Sequence, residues 1–216
     1  HQYYEPRTDL GRSLIDGNEF SNLKRGDFME FVPEDGNWYL CMQKPFKRHP
    51  EFDDFLISIA QKDPHSRFIL HDGSSLEERE IIRERLKSIS THVHFIPAQP
   101  HYRLMALYQL SDVVLDSYYA GGCTTTREAL EVGAVVVTLP SKYLGGRWSL
   151  AYYTIIGVFD VIAIDKQDYV NKAVAIATDK SLHKEVSEKI GRNVSKLFYR
   201  MESVEAWTQA IHKMLN

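Results

Sequence analysis

The stretch Asp112-Val113-Val114-Leu115-Asp116-Ser117-Tyr118-Tyr119-Ala120-Gly121-Gly122-Cys123-Thr124-Thr125-Thr126-Arg127-Glu128-Ala129-Leu130 decides the fold. Its first residues, Val113 to Asp116, read as a short apolar strand, and a helix is expected over about 124–132. Between them lies a loop carrying a glycine pair. Working outward, the further strand candidates are Phe28 to Val32, Trp38 to Met42, Arg67 to His71, Val93 to Pro97, Val135 to Leu139 and Val161 to Ile164. Helices are expected at about 50–62, 75–89, 100–110 and 147–155, then in a nearly continuous tail at about 167–178, 181–198 and 203–215. Short apolar strands alternating with helices predict parallel βαβ units, hence an α/β, doubly wound parallel sheet with extra C-terminal helices.

Two local patterns carry this reading. Phe52, Phe55, Leu56, Ile59 and Ala60 recur at helical spacing and form one apolar stripe. Ser74-Ser75-Leu76-Glu77 reads as a capping box that opens the next helix. Residues 1–27 are polar and irregular and are expected to form a linker or wrapping arm, leaving 28–216 as one domain.

The 216 residues are 44% hydrophobic, and a chain of this length buries about 70% of its extended surface without disulfides or metal. Twenty-six Lys and Arg against 29 Asp and Glu leave a formal charge of −3, which offers no basic field for nucleic acid or anionic lipid. No apolar run approaches the roughly 18 residues of a membrane helix. Cys41 and Cys123 form no disulfide framework, which fits a cytoplasmic or nucleocytoplasmic setting. The chain begins at His1, and we expect it to be cut from a longer protein.

In a doubly wound sheet, ligands bind beyond the carboxyl ends of the strands that flank the reversal of strand order. If the core begins at Trp38, those are its first and fourth strands. The loop after one, Gln43-Lys44-Pro45-Phe46-Lys47-Arg48-His49-Pro50, supplies cations; the loop after the other runs Gly121-Gly122-Cys123-Thr124-Thr125 into a helix start. These parts suit a phosphate group. Glycines permit positive φ and close backbone approach, helix-start N–H groups point at an anion, and Thr124 and Thr125 add hydroxyls. Lys47 supplies a mobile positive charge, and Glu128 a carboxylate able to accept both hydroxyls of a ribose. Plainer readings stand beside these: a simple turn at Gly121-Gly122, a ligand-free cap at Thr125-x-x-Glu128, and a solvated face for Lys44, Lys47 and Arg48. GxGxxG and GxxxxGK[ST] are both absent. His92-x-His94 has no second ligand pair in sequence, so no metal site is expected.

Taken in order, Gln43 to Pro50, Phe95-Ile96-Pro97 with Pro100, Asp112 to Asp116, and Gly121 to Leu130 resemble the carboxy-terminal, donor-binding half of GT-B glycosyltransferases. So do Gly133, Val137-Thr138-Leu139-Pro140 and Arg147. Within that class they are similar to the protein O-GlcNAc transferase and SPINDLY-type family. The resemblance implies a Rossmann-like half of a GT-B fold in an inverting transferase that uses no metal or cofactor and moves GlcNAc from UDP-GlcNAc to protein Ser/Thr. It implies that Lys47 contacts the donor diphosphate catalytically and that Thr124 and Thr125 hold its phosphates beside Gly121, Gly122 and Cys123. Glu128 would hold the ribose, Gln99 and His101 with Ala98 and Pro100 the nucleobase, and Gln43 and Lys44 the sugar or diphosphate.

Partners would be a nucleotide sugar and a protein or peptide acceptor, with neither nucleic acid nor membrane. The amino-terminal GT-B half, and helical repeats upstream of it, are expected to lie outside this chain. Cys123 and His101 stand where the animal family pattern has His and Lys, and Leu104 where it has His near the base. Two alternatives follow: a degenerate, non-catalytic nucleotide-binding or interaction module, or a GT-B enzyme acting on lipid or polysaccharide.

Overall fold

The computed structural model describes residues 3–73 and 75–215, so His1 and Ser74 lie outside the described residues. A small antiparallel hairpin, β1 (Thr8–Asp9) and β2 (Arg12–Ser13), precedes the body of the chain. Five parallel strands follow: β3 (Asn37–Cys41), β4 (Ser66–His71), β5 (Val93–Ile96), β6 (Val113–Leu115) and β7 (Val136–Val137). Their order is β5-β4-β3-β6-β7, so winding reverses between β3 and β6, with Tyr39 opposite Val113 and Leu40 opposite Val114. The sequence expectation of a doubly wound parallel sheet holds, and its first and fourth core strands are neighbours.

The helices are α1 (Glu51–Lys62), α2 (Leu76–Arg85), α3 (His101–Leu110), α4 (Thr124–Glu131), α5 (Trp148–Ile156), α6 (Lys166–Thr178), α7 (Lys180–Asn193) and α8 (Met201–Leu215). Trp38, Tyr39, Leu40 and Cys41 of β3 are all fully buried, as a parallel strand covered on both faces requires. Asp112 ties the amino-terminal end of the sheet together. It accepts hydrogen bonds from Trp38 N and Arg25 Nη2, each at 2.7 Å, and from Lys180 Nζ at 2.5 Å.

Two expected strands do not form. Phe28 and Val32 are both fully buried, but Glu30 between them is exposed where an alternating strand would bury it. Arg25–Phe28 is a 3₁₀ turn, and Val32 N donates to Phe28 O. The segment 161–164 reaches the sheet through a single bridge, Thr138 to Ile162. Its ladder stops because the Tyr153 hydroxyl takes the outward-facing groups of Val136, donating to Val136 O (2.7 Å) and accepting from Val136 N (3.0 Å). The α2 cap also differs: Ser75, one residue later than expected, accepts from Glu78 N. The expected helix 181–198 ends at Asn193 and continues as a 3₁₀ turn over Val194–Leu197.

Candidate functional site

The crevice between the β3 and β6 loops has two halves. In the first, Lys47 closes a 3₁₀ turn, Pro45–Lys47, directly after β3. Its Nζ donates to Gln43 Oε1 at 3.0 Å and to Gly121 O at 3.3 Å. Gln43 Nε2 in turn donates to Thr125 Oγ1 at 2.7 Å. Side chains from both loops therefore meet over the start of α4, where Thr124, Thr125 and Thr126 present first-turn N–H groups that have no acceptor within the helix.

The glycine pair serves close approach rather than unusual backbone angles. The left-handed residue in this loop is Tyr119 (φ 74°), whose ring hydroxyl donates to Glu51 at 3.0 Å; neither Gly121 nor Gly122 has positive φ. A Cβ on Gly122 would lie 2.5 Å from Thr126 Oγ1 and 2.8 Å from Gln43 Nε2. One on Gly121 would lie 2.6 Å from the Asp116 carboxylate.

Asp116 organises this half from below. Its Oδ1 accepts from Gly122 N at 2.8 Å, and its Oδ2 from Thr138 Oγ1 (2.8 Å) and Ser149 Oγ (2.6 Å). Its main-chain carbonyl accepts from Tyr169 at 3.0 Å. Burial pushes the Asp116 carboxyl above its ordinary value, and the three donors oppose that rise without cancelling it. This role could not be read from the sequence, because Thr138, Ser149 and Tyr169 come from three distant segments.

The second half is shaped by Glu128 and His101. Glu128 Oε1 lies 3.5 Å from His101 Nε2 and accepts from Arg7 Nη1 at 2.8 Å. The Glu128 side chain is 4% exposed, because residues 4–16 lie across it. Glu131 Oε1 accepts from Arg7 N (2.7 Å), Thr8 N (2.5 Å) and Thr8 Oγ1 (2.7 Å). Ser13 Oγ is within hydrogen-bond reach of His101 Nδ1 at 2.7 Å, and Tyr102 N donates to Asp16 at 3.0 Å. The Arg127 guanidinium stacks 3.9 Å from the Tyr4 ring centroid.

The remaining expected site residues scatter around these halves. Lys44 is exposed at the mouth. Gln99 spans its own loop, donating to Pro97 O and accepting from Arg103. Cys123 is the N-cap residue of α4, and its thiol faces Tyr152 Oη (3.3 Å) and Tyr4 Oη (3.7 Å) rather than the glycine loop. Thr125 and Glu128 form no capping box, since each is engaged elsewhere. Arg48 is not a solvated loop cation. It is 3% exposed, donates to His71 O at 2.8 Å, and has its basicity lowered by burial. Among the described residues, no group of three or more His, Cys, Asp or Glu is arranged to hold a metal ion. No described helix is long and apolar enough to cross a membrane.

A parallel sheet whose winding reverses between β3 and β6, with the loops after both strands meeting over a helix start, is the α/β architecture of a GT-B half. The family model for glycosyl transferase family 41 matches residues 28–208, and the chain belongs to that family. It is 34% identical over 153 residues to the UDP-N-acetylglucosamine–peptide N-acetylglucosaminyltransferase of Caenorhabditis elegans, covering 68% of this chain and 13% of that protein. It is 26% identical over 216 residues to the probable peptide N-acetylglucosaminyltransferase SEC of Arabidopsis thaliana, covering 95% of this chain and 21% of that one. Among solved structures, an O-GlcNAc transferase mutant from Thermobaculum terrenum shares the fold with a TM-score of 0.73 at 22% identity, over 83% of this chain and 36% of the other. The chain thus spans a minor part of each relative.

Proposed function

We propose that this domain is the donor-binding half of an inverting glycosyltransferase. It binds a nucleoside diphosphate sugar, with UDP-GlcNAc favoured, for transfer to Ser or Thr of a protein acceptor in the cytoplasm or nucleocytoplasm. The observation that carries the reading is the convergence of Gln43, Lys47, Gly121 and Thr125 over the α4 start. In this reading an acceptor hydroxyl attacks the anomeric carbon from the face opposite the diphosphate. The bond to the diphosphate breaks, and the nucleoside diphosphate leaves with the electron pair. Lys47 Nζ, the Thr124 and Thr125 hydroxyls and the first-turn N–H groups meet the charge that develops there. The acceptor site and the group that takes the hydroxyl proton are assigned to the rest of the parent protein.

The test is calorimetric titration of UDP and GDP into the chain and into its Arg7→Ala variant. Binding of UDP is expected in at least the variant, and Thr124→Val with Thr125→Val should weaken it roughly 10- to 100-fold by removing hydrogen bonds to charged oxygens. No binding of either nucleotide at millimolar concentration would sink the reading. The buried state of Glu128 favours a second reading, a module that retains the fold without the chemistry. A transfer assay on the full-length parent separates the two, because only a transferase turns over nucleotide sugar.

A further inference from the structure

We propose that the amino-terminal arm is a displaceable lid over the nucleoside half of the crevice, with Arg7 holding the carboxylate that a ribose would otherwise engage. The inference rests on the nucleotide-sugar reading above and concerns the regulation of that same site. Arg7 donates to Glu128 as a ribose hydroxyl would, and Ser13 sits against the outer nitrogen of His101. With the arm in place, the Glu128 and His101 side chains are 4% and 11% exposed, so a nucleoside cannot reach either one. The phosphate half is not covered in this way: Lys47, Thr124 and Thr125 are only half-buried.

How the arm is attached indicates that it can leave. A segment docked permanently buries its apolar side chains, yet in the stretch across the crevice Leu10 is 98%, Leu14 55% and Ile15 58% exposed, and the arm's buried Phe20 lies beyond that stretch. Polar contacts hold it instead: three hydrogen bonds to Glu131, the Arg7–Glu128 pair, Ser13 on His101, and Tyr102 N on Asp16. Its aromatic anchor is Tyr4, whose ring lies under Arg127 and whose hydroxyl pairs with Tyr152 at 2.9 Å. Contacts of this kind are replaced by water or by a ligand's own hydroxyls at little cost, and segments so held open before the core does. At the hairpin tip, Leu10 (φ 44°) and Gly11 (φ 82°) both occupy the left-handed region, which costs a leucine strain that release removes.

The lid and the nucleoside therefore exclude each other, and the affinity for UDP is scaled down to the fraction of chains whose arm is open. Calorimetry with UDP on the whole chain tests this. Arg7→Ala should bind roughly three- to thirtyfold tighter than wild type, the range expected for releasing a mostly closed state. Glu131→Ala loosens the arm without touching Glu128 and should shift affinity in the same direction, so a folding defect in one variant leaves the other decisive. Hydrogen exchange supplies an independent readout: saturating UDP should deprotect the Arg7 and Thr8 amides. Unchanged or weaker UDP binding in both variants, or added protection of those amides, overturns the lid while leaving the nucleotide site standing. No UDP binding by any of the three proteins overturns the underlying reading and the lid with it.

Discussion

The two halves of one crevice are built by opposite means. Around Lys47, Gln43 and Thr125 the loops that form the cradle hold each other, and a buried carboxylate fixes the glycine turn from beneath. Around Glu128 and His101 the groups are likewise fixed, but by a segment more than eighty residues away in sequence that lies across them. The first half is held together by its own loops. The second is organised by a substitute. The difference teaches that one half of a crevice can be self-supporting while the other is covered, even when a single eight-residue helix, α4, contributes to both.

Breaking the first half should have the largest effect. Asp116→Ala strands the Gly122 amide and the Thr138 and Ser149 hydroxyls in a buried setting, a loss of about 3 kcal/mol, or roughly 6–12 °C in thermal midpoint. The arm's hydrogen bonds to Glu131 should still exchange as before in the folded fraction. A change under 1 °C by calorimetric scan would show that the glycine turn does not depend on this carboxylate. Next in size, Lys47→Met should weaken UDP about tenfold and flatten the dependence of affinity on salt, since a point charge near the diphosphate is lost. A titration series in rising salt checks this, and the arm amides serve as an internal control that should not move.

The smallest effect concerns pH. Burial raises the Asp116 carboxyl in the folded chain above its ordinary value of 3.8. The penalty of ionising it is therefore absent below that value, grows as pH rises toward the folded value, and is constant beyond. Asp116→Asn lacks the penalty. The stability of the variant relative to wild type should accordingly rise with pH across that window, by no more than about 1.4 kcal/mol per pH unit. A difference that stays flat in denaturant titrations from pH 4 upward would place the carboxyl at its solution value.

What the sequence revealed follows the same division. The β3 and β6 strands and α4 were legible because short apolar runs and a glycine-to-threonine transition are local signals. Phe28 to Val32 reads as a strand in sequence because four apolar residues in a five-residue window satisfy either period. The segment 161–164 has strand composition, but a tyrosine hydroxyl occupies the outer face of its intended neighbour. That Lys47, Gln43 and Thr125 meet was legible because their loops map to one reversal point. Asp116 as organiser, and Arg7 as the group on Glu128, were invisible: each depends on partners brought together only by folding, and a polar stretch without periodicity does not say where it binds.

Tyr153 has a wider consequence than shortening one ladder. A sheet that ends in an open strand offers its outward amides and carbonyls to any extended chain that drifts past, which is how edge-to-edge aggregation begins. Here Val136 is capped from the side by a phenol, while Thr138 is taken by Val161 and Ala163. The β7 margin is closed by a side chain and one loop contact instead of another strand, so Val136 leaves no backbone group free for an extended chain to pair with.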